Sequence, residues 1–200
     1  MTTQRLNRSI WTRLAVVAVF AAAMAFVESA VVVYLRSVFH TTGGLVAYAP
    51  GPKDIWFSIP YFTLLKQSTL VSVMPQPQIA YVEVVREAAT IVMLLCVGWL
   101  GGRDFRSRAA LFLCAFGVWD IGYYAFLRVV IGWPASLADL DVLFLIPGPW
   151  VAPVLIPVAI SVAMIVGGVL LLRAGWSARG RQLGDAGTIR PPRSPLRGGR

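Results

Sequence analysis

Residues 14–38 read LAVVAVFAAAMAFVESAVVVYLRSV, twenty-five positions in which Glu28 and Arg36 are the only charged side chains. A helix that crosses a bilayer needs about 20 mostly apolar residues at a rise of about 1.5 Å each. This run is long enough. Three further runs, 79–100, 109–131 and 151–172, meet the same condition. Lipid offers backbone groups no hydrogen-bond partners, so only helices and closed barrels cross it. These runs are too long and too continuously apolar for barrel strands. The expected fold class is therefore an all-α integral membrane protein: one bundle over residues 1–172 with four transmembrane helices, its N and C termini cytoplasmic, and short interfacial helices in the outer loops.

Composition agrees. Of 200 residues, 58% are hydrophobic and 14% charged, and mean hydropathy is +0.72. Soluble domains carry roughly 25% charged residues. The net charge of +9 raises the question of nucleic acid, but seven of the arginines fall at or after Arg173, beyond the last apolar run. No recognition module accompanies them, so no nucleic-acid partner is expected.

The basic residues report orientation instead. With a cytoplasmic N-terminus, that side holds Arg5, Arg8, Arg13, Arg103, Arg106, Arg108 and the seven tail arginines, against Lys53 and Lys66 outside. This is the asymmetry of the positive-inside rule. Trp11, Trp99 and Trp176 fall at the inner interface and Trp133 and Trp150 at the outer one, where amphipathic rings prefer to sit. The expected location is the inner (plasma) membrane, multi-pass. A cleavable signal peptide ending near Ala23-Met24-Ala25 is the competing reading of the first run. Its apolar continuation through Val31, Val32, Val33 and Leu35 favours a retained span.

Residues 41–78 form a long outer loop with Tyr48, Trp56, Phe57, Tyr61 and Phe62, punctuated by Pro50, Pro52, Pro60, Pro75 and Pro77. Its aromatic content suggests a surface-lying lid. Residues 136–146 suggest a short interfacial helix, because Ser136 and Asp139 have capping-box spacing. Residues 173–200, rich in Arg, Gly and Pro, read as a disordered basic tail facing cytoplasmic headgroups. Pro149, Pro153 and Pro157 suggest a kinked fourth span whose freed carbonyls would lie near the charged level. Ala21, Ala25 and Ser29 repeat by four and read as a close-packing stripe.

Seven charged residues fall within the runs: Glu28, Arg36, Glu83, Arg86, Glu87, Asp120 and Arg128. A charge at a helix centre costs about 2.5–3.5 kcal/mol on insertion scales, so these groups are expected to face inward and meet one another. Glu83, Arg86 and Glu87 share a face at i, i+3 and i+4; Asp120, Tyr124 and Arg128 step by four along another. Measured from the cytoplasmic end of each run, Asp120, Glu87, Glu28 and Arg86 lie ~17–21 Å up. Glu83 and Arg128 lie at ~26–28 Å, with Arg36 higher still. The inner halves carry no charge. The candidate site is thus a polar cluster of Glu28, Glu83, Arg86, Glu87, Asp120, Tyr124 and Arg128 that opens outward above an apolar floor. Four acids against three bases leave one carboxylate over unless it is protonated or binds a cation.

No nucleophile elbow, HExxH or Gly-rich phosphate loop is present, so no catalytic residue is assigned. His40 is the only histidine and the two cysteines, Cys96 and Cys114, sit in apolar runs, so neither a metal nor a cofactor is expected. The reading favoured by sequence alone is a structural or assembly role for the cluster. The alternatives are binding or transport of a small polar solute or cation, and an enzyme acting on an outer-leaflet lipid through carboxylate acid/base chemistry. The expected partners are the lipid bilayer itself and a second copy or another membrane protein.

Overall fold

A computed structural model describes residues 3–38, 51–69 and 77–187, with side chains placed over 10–37, 51–69 and 78–175. Four long helices dominate it: α1 (Thr3–Val38), α2 (Pro77–Gly101), α3 (Phe105–Ile131) and α4 (Leu155–Gly187). Each contains a segment long and apolar enough to cross a membrane: Ile10–Ser37, Gln78–Gly101, Phe105–Ile131 and Leu155–Gly175. Val19, Val27, Val85, Leu95, Val166 and Leu170 stand exposed on their outer faces. A soluble protein rarely leaves so much apolar surface uncovered; a multi-pass membrane protein presents it to lipid.

α3 is the central helix and packs against the other three, whereas α1 and α2 touch each other only sparsely. Burial against lipid-like surroundings supplies little hydrophobic drive, so helix contact rests on close packing and polar bonds. The small residues provide the closeness. Ala21 and Ala25 are fully buried, and a Cβ at Gly122 of α3 would lie 2.9 Å from Cβ of Ala25. One turn on, the Ser29 hydroxyl donates to the carbonyls of Ala25 (2.7 Å) and Tyr123 (3.1 Å), stitching α1 to α3. Val17, Ala21 and Ala25 share one core with Leu94, Leu111, Trp119 and Leu172. The first span therefore belongs to the core up to and including Ala25.

At one end the chain is basic. The Arg13 guanidinium donates to the Gly101 carbonyl at the end of α2 (2.9 Å), and Arg108 stacks 3.6 Å from the centre of Trp99. Arg173 lies 5.9 Å from the Trp11 ring centre. Asp104 caps α3 by a reciprocal pair with Ser107: the Ser107 N–H donates to Asp104 Oδ1 (2.9 Å) and the Asp104 N–H donates to Ser107 Oγ (3.1 Å). This closes a three-residue turn between α2 and α3 and satisfies orphan N–H groups.

The opposite end is built from β-structure where interfacial helices were expected. β1 (Ile55–Ile59), β2 (Phe62–Leu65), β3 (Leu140–Val142) and β4 (Trp150–Pro153) form one antiparallel sheet in the order β1-β2-β4-β3. The segment 136–146 is not helical. The Ser136–Asp139 pair makes a local turn, with Ser136 Oγ donating to Asp139 Oδ1 (2.8 Å) and the Ala135 N–H donating to Asp139 Oδ2 (2.7 Å). The helix does not propagate, because Leu140–Val142 pair with Val151–Pro153 and Pro147 and Pro149 follow within a turn or two. Of the expected outer loop 41–78, residues 51–69 form the β1–β2 hairpin and the short 3-10 turn Gln67–Thr69, and Pro77 and Gln78 open α2; residues 41–50, Tyr48 among them, and 70–76 lie outside the described residues.

The fourth span begins at Leu155 rather than 151, and its prolines do not kink it. Pro149 and Pro153 precede the helix and Pro157 lies in its first turn, where an N–H has no intrahelical partner to lose. The carbonyls of Leu137 and Asp139 accept from the N–H groups of Leu155 (2.8 Å) and Val154 (2.9 Å), so the turn caps α4. At its other end α4 runs past residue 172 to Gly187, a stretch expected to be disordered, and residues 188–200 of that tail lie outside the described residues.

Candidate functional site

Between α1, α2, α3 and the segment that follows β3 lies a cavity of about 60 Å³. A water needs some 10–15 Å³ on this scale, so the space holds several waters or a ligand of ~4–6 heavy atoms. Its walls carry Glu28 and Arg36 of α1; Glu83, Arg86, Glu87 and Thr90 of α2; Trp119, Asp120, Tyr123 and Tyr124 of α3; and Asp141–Leu145 above. Six of the seven residues expected to form a polar cluster meet here.

Their bonds divide them. Arg86 forms a bridge between α1 and α2, which otherwise touch sparsely: its Nη1 reaches Glu28 Oε1 of α1, while Nε (2.8 Å) and Nη2 (2.5 Å) both donate to Glu83 Oε2 one turn back on α2. Thr90 Oγ1 lies 3.3 Å from the other Glu28 oxygen. This triad fixes α1 against α2 in the way ion pairs fix register. Glu87 instead accepts from the Leu145 N–H (2.8 Å), which ties the segment after β3 down onto α2. Asp120 accepts from Ser161 Oγ of α4 (2.8 Å). That contact depends on Gly117, where a Cβ would stand 2.5 Å from the Ser161 carbonyl oxygen.

Arg128 does not join the cluster. Its Nη1 turns back to the carbonyls of Gly132 (2.5 Å) and Pro134 (3.0 Å). The last carbonyls of a helix lack intrahelical donors and carry partial negative charge, which a guanidinium one turn away satisfies. Gly132 closes the helix in the left-handed region at φ 73°.

Two charged residues take the place it was expected to fill. Arg36, expected near the surface, is 4% exposed and lines the cavity. Its Cζ lies 4.0 Å from the centre of the Trp133 ring, and none of Nε, Nη1 and Nη2 has a hydrogen-bond partner among the described residues. Asp141, which lies in the segment expected to form an interfacial helix, is 2% exposed and accepts from the Tyr124 hydroxyl at 3.0 Å. Successive strand residues point to opposite faces, so Leu140 faces out while Asp141 points into the bundle. Burial pushes its carboxyl up from 3.8 to about 6, against the opposing pull of Arg36 and of hydrogen bonds from Tyr124 and the Val142 backbone. Trp119, also on the wall, has a buried Nε1 donor with no partner among the described residues.

The wall therefore holds five carboxylates, Glu28, Glu83, Glu87, Asp120 and Asp141, and two guanidiniums, of which Arg86 is committed and Arg36 is not. No group of three His, Cys, Asp or Glu side chains among the described residues is arranged to hold a metal ion. Cys114 is buried, Cys96 is exposed, and both are free thiols. Compared with protein-family models, curated proteins and solved structures, the chain matches none.

Proposed function

We propose that this chain is a multi-pass plasma-membrane protein that binds a small polar solute in a cavity reached from the outer side. The orientation rests on Arg13, Arg103, Arg106, Arg108 and Arg173 at the end opposite the sheet, against Lys53 and Lys66 on the hairpin side. It places both termini in the cytoplasm and the sheet outside.

The observation that carries the reading is Arg36. A buried, unpaired charge costs several kcal/mol. Stacking on an aromatic ring returns about 0.5–2 kcal/mol, and Asp141, the acid that pulls against it, makes no hydrogen bond to it. A group retained only for folding would be paired, as Arg86 is. Arg36 is instead held on Trp133 at the cavity wall, with none of its donors hydrogen-bonded among the described residues, the arrangement expected of a binding group awaiting its partner. The Arg86 triad and the Glu87–Leu145 bond are read as the scaffold that keeps the cavity in shape, so the structural role expected from sequence applies to part of the cluster.

The test is Arg36→Met, with thermal stability measured in a non-ionic detergent. For a binding group, Met raises or leaves unchanged the melting temperature of the ligand-free protein and abolishes stabilisation by any solute that stabilises wild type. A fall of melting temperature comparable to that of Arg86→Met would assign Arg36 to the scaffold and end the proposal.

A further inference from the structure

We infer that the solute is a small zwitterion, with its anionic group on Arg36 and its ammonium group beside Glu87 and Asp120; this rests on the binding reading above.

The anionic half follows from how Arg36 is held. Stacking on Trp133 occupies the face of the guanidinium and leaves its in-plane N–H groups without partners among the described residues. Those groups form a planar fork that matches a carboxylate or phosphoryl group through two parallel bonds. Trp119, another wall residue, has a buried Nε1 without a partner among the described residues and offers one more donor to an acceptor atom.

The cationic half follows from a separate observation, the excess of acids. Arg86 answers Glu28 and Glu83. Glu87 and Asp120 are each met by a neutral donor, the Leu145 N–H and the Ser161 hydroxyl. A carboxylate has about four lone-pair sites, one neutral hydrogen bond does not balance its charge, and the guanidinium near Glu87, that of Arg86, already answers two other acids. An ammonium group supplies three donors and the missing charge. A simple anion would add to the excess, and a simple cation would leave Arg36 as it is. A molecule carrying both signs answers both.

Size restricts the choice. A space for ~4–6 heavy atoms fits the smallest amino acids. The headgroup of an aminophospholipid has the same pair of charges and would enter sideways between α1 and α2, whose mutual contact is sparse beside the contact each makes with α3. The shared chemistry is a primary ammonium a few bonds from a carboxylate or phosphate.

The experiment is a thermal-shift series on the purified full chain in dodecyl maltoside at matched ionic strength, with five probes: glycine, acetate, methylammonium, and short-chain phosphatidylethanolamine and phosphatidylglycerol. Glycine is expected to raise the melting temperature where acetate and methylammonium do not. Stabilisation by phosphatidylethanolamine alone supports the inference with a lipid as its source. Arg36→Lys keeps the charge without the fork and is expected to weaken the effective probe about 10- to 100-fold, as is Asp120→Asn. If acetate or methylammonium alone is as effective as any zwitterion, a binding cavity stands and the zwitterion falls. If no probe shifts wild type, the inference falls, and the Arg36→Met comparison decides separately whether the binding reading falls with it.

Discussion

The Tyr124 hydroxyl donates to Asp141 Oδ2 at 3.0 Å, and this bond joins the middle of the bundle to the sheet above it. Both partners are buried, and Arg36, Tyr123 and Asp120 face the same carboxyl. Tyr124→Phe removes the donor and leaves a buried acceptor. The expected loss is about 1–3 kcal/mol, read as a lower melting temperature and faster amide exchange at Leu140–Val142.

Asp141 should also make stability depend on pH. Its folded value of about 6 lies above the ordinary 3.8 because burial disfavours the charged form. The native state thus holds this proton more tightly than the unfolded chain. The contribution of this group is greatest below about pH 4, declines as pH rises through about 6, and is level above. At 1.36 kcal/mol per pH unit the full swing is about 3 kcal/mol. Asp141→Asn is expected to flatten the melting temperature between pH 4 and 6 and to raise it at pH 8. An unchanged slope in the variant would assign the pH dependence to other groups.

Arg86 answers two carboxylates, so Arg86→Gln orphans both. The expected cost is about 3–5 kcal/mol. Adding Glu28→Gln and Glu83→Gln to the same chain should recover much of it, because no unpaired charge is then left. Failure of the triple variant to recover would mean that the pairing itself, and not the orphaned charge, holds α1 to α2.

Gly117→Ala places a methyl group 2.5 Å from the Ser161 carbonyl oxygen, a backbone atom that cannot move without α4. Overpacking of this kind costs about 1–3 kcal/mol. The helices should separate and the Ser161–Asp120 bond lengthen, so this variant loses stability and probe binding together. Asp104→Ala, at the basic end, is the control. It removes the α3 cap at about 0.5–2 kcal/mol and should leave probe binding as in wild type.

The spans were legible because bilayer thickness fixes a length that the apolar runs display directly. Glu83, Arg86 and Glu87 were legible because helical period puts i, i+3 and i+4 on one face. Arg128 misled for a local reason: Gly132 ends its helix one turn later and exposes carbonyls that the side chain satisfies. Asp141 was hidden because β3 is three residues long, too short for alternation to register, and its partner strand contains Pro153. The sheet was hidden for the same reason, since its four short strands pair across loops far apart in sequence. The depth of Arg36 followed from Trp133 and the overlying sheet, neither of which the first span announces.

The pairing of Leu64 with Trp150 sets an order of assembly. These residues lie on either side of two complete helices, and they can meet only after α2 has entered the membrane and α3 has returned the chain to the side it left. The roof of the cavity is therefore completed late in synthesis, by residues that precede the last span. Until then Arg36, Glu87 and Asp120 stand in an open cleft rather than an enclosed one, and a chain stopped before residue 150 would carry most of the charges but no chamber to hold them.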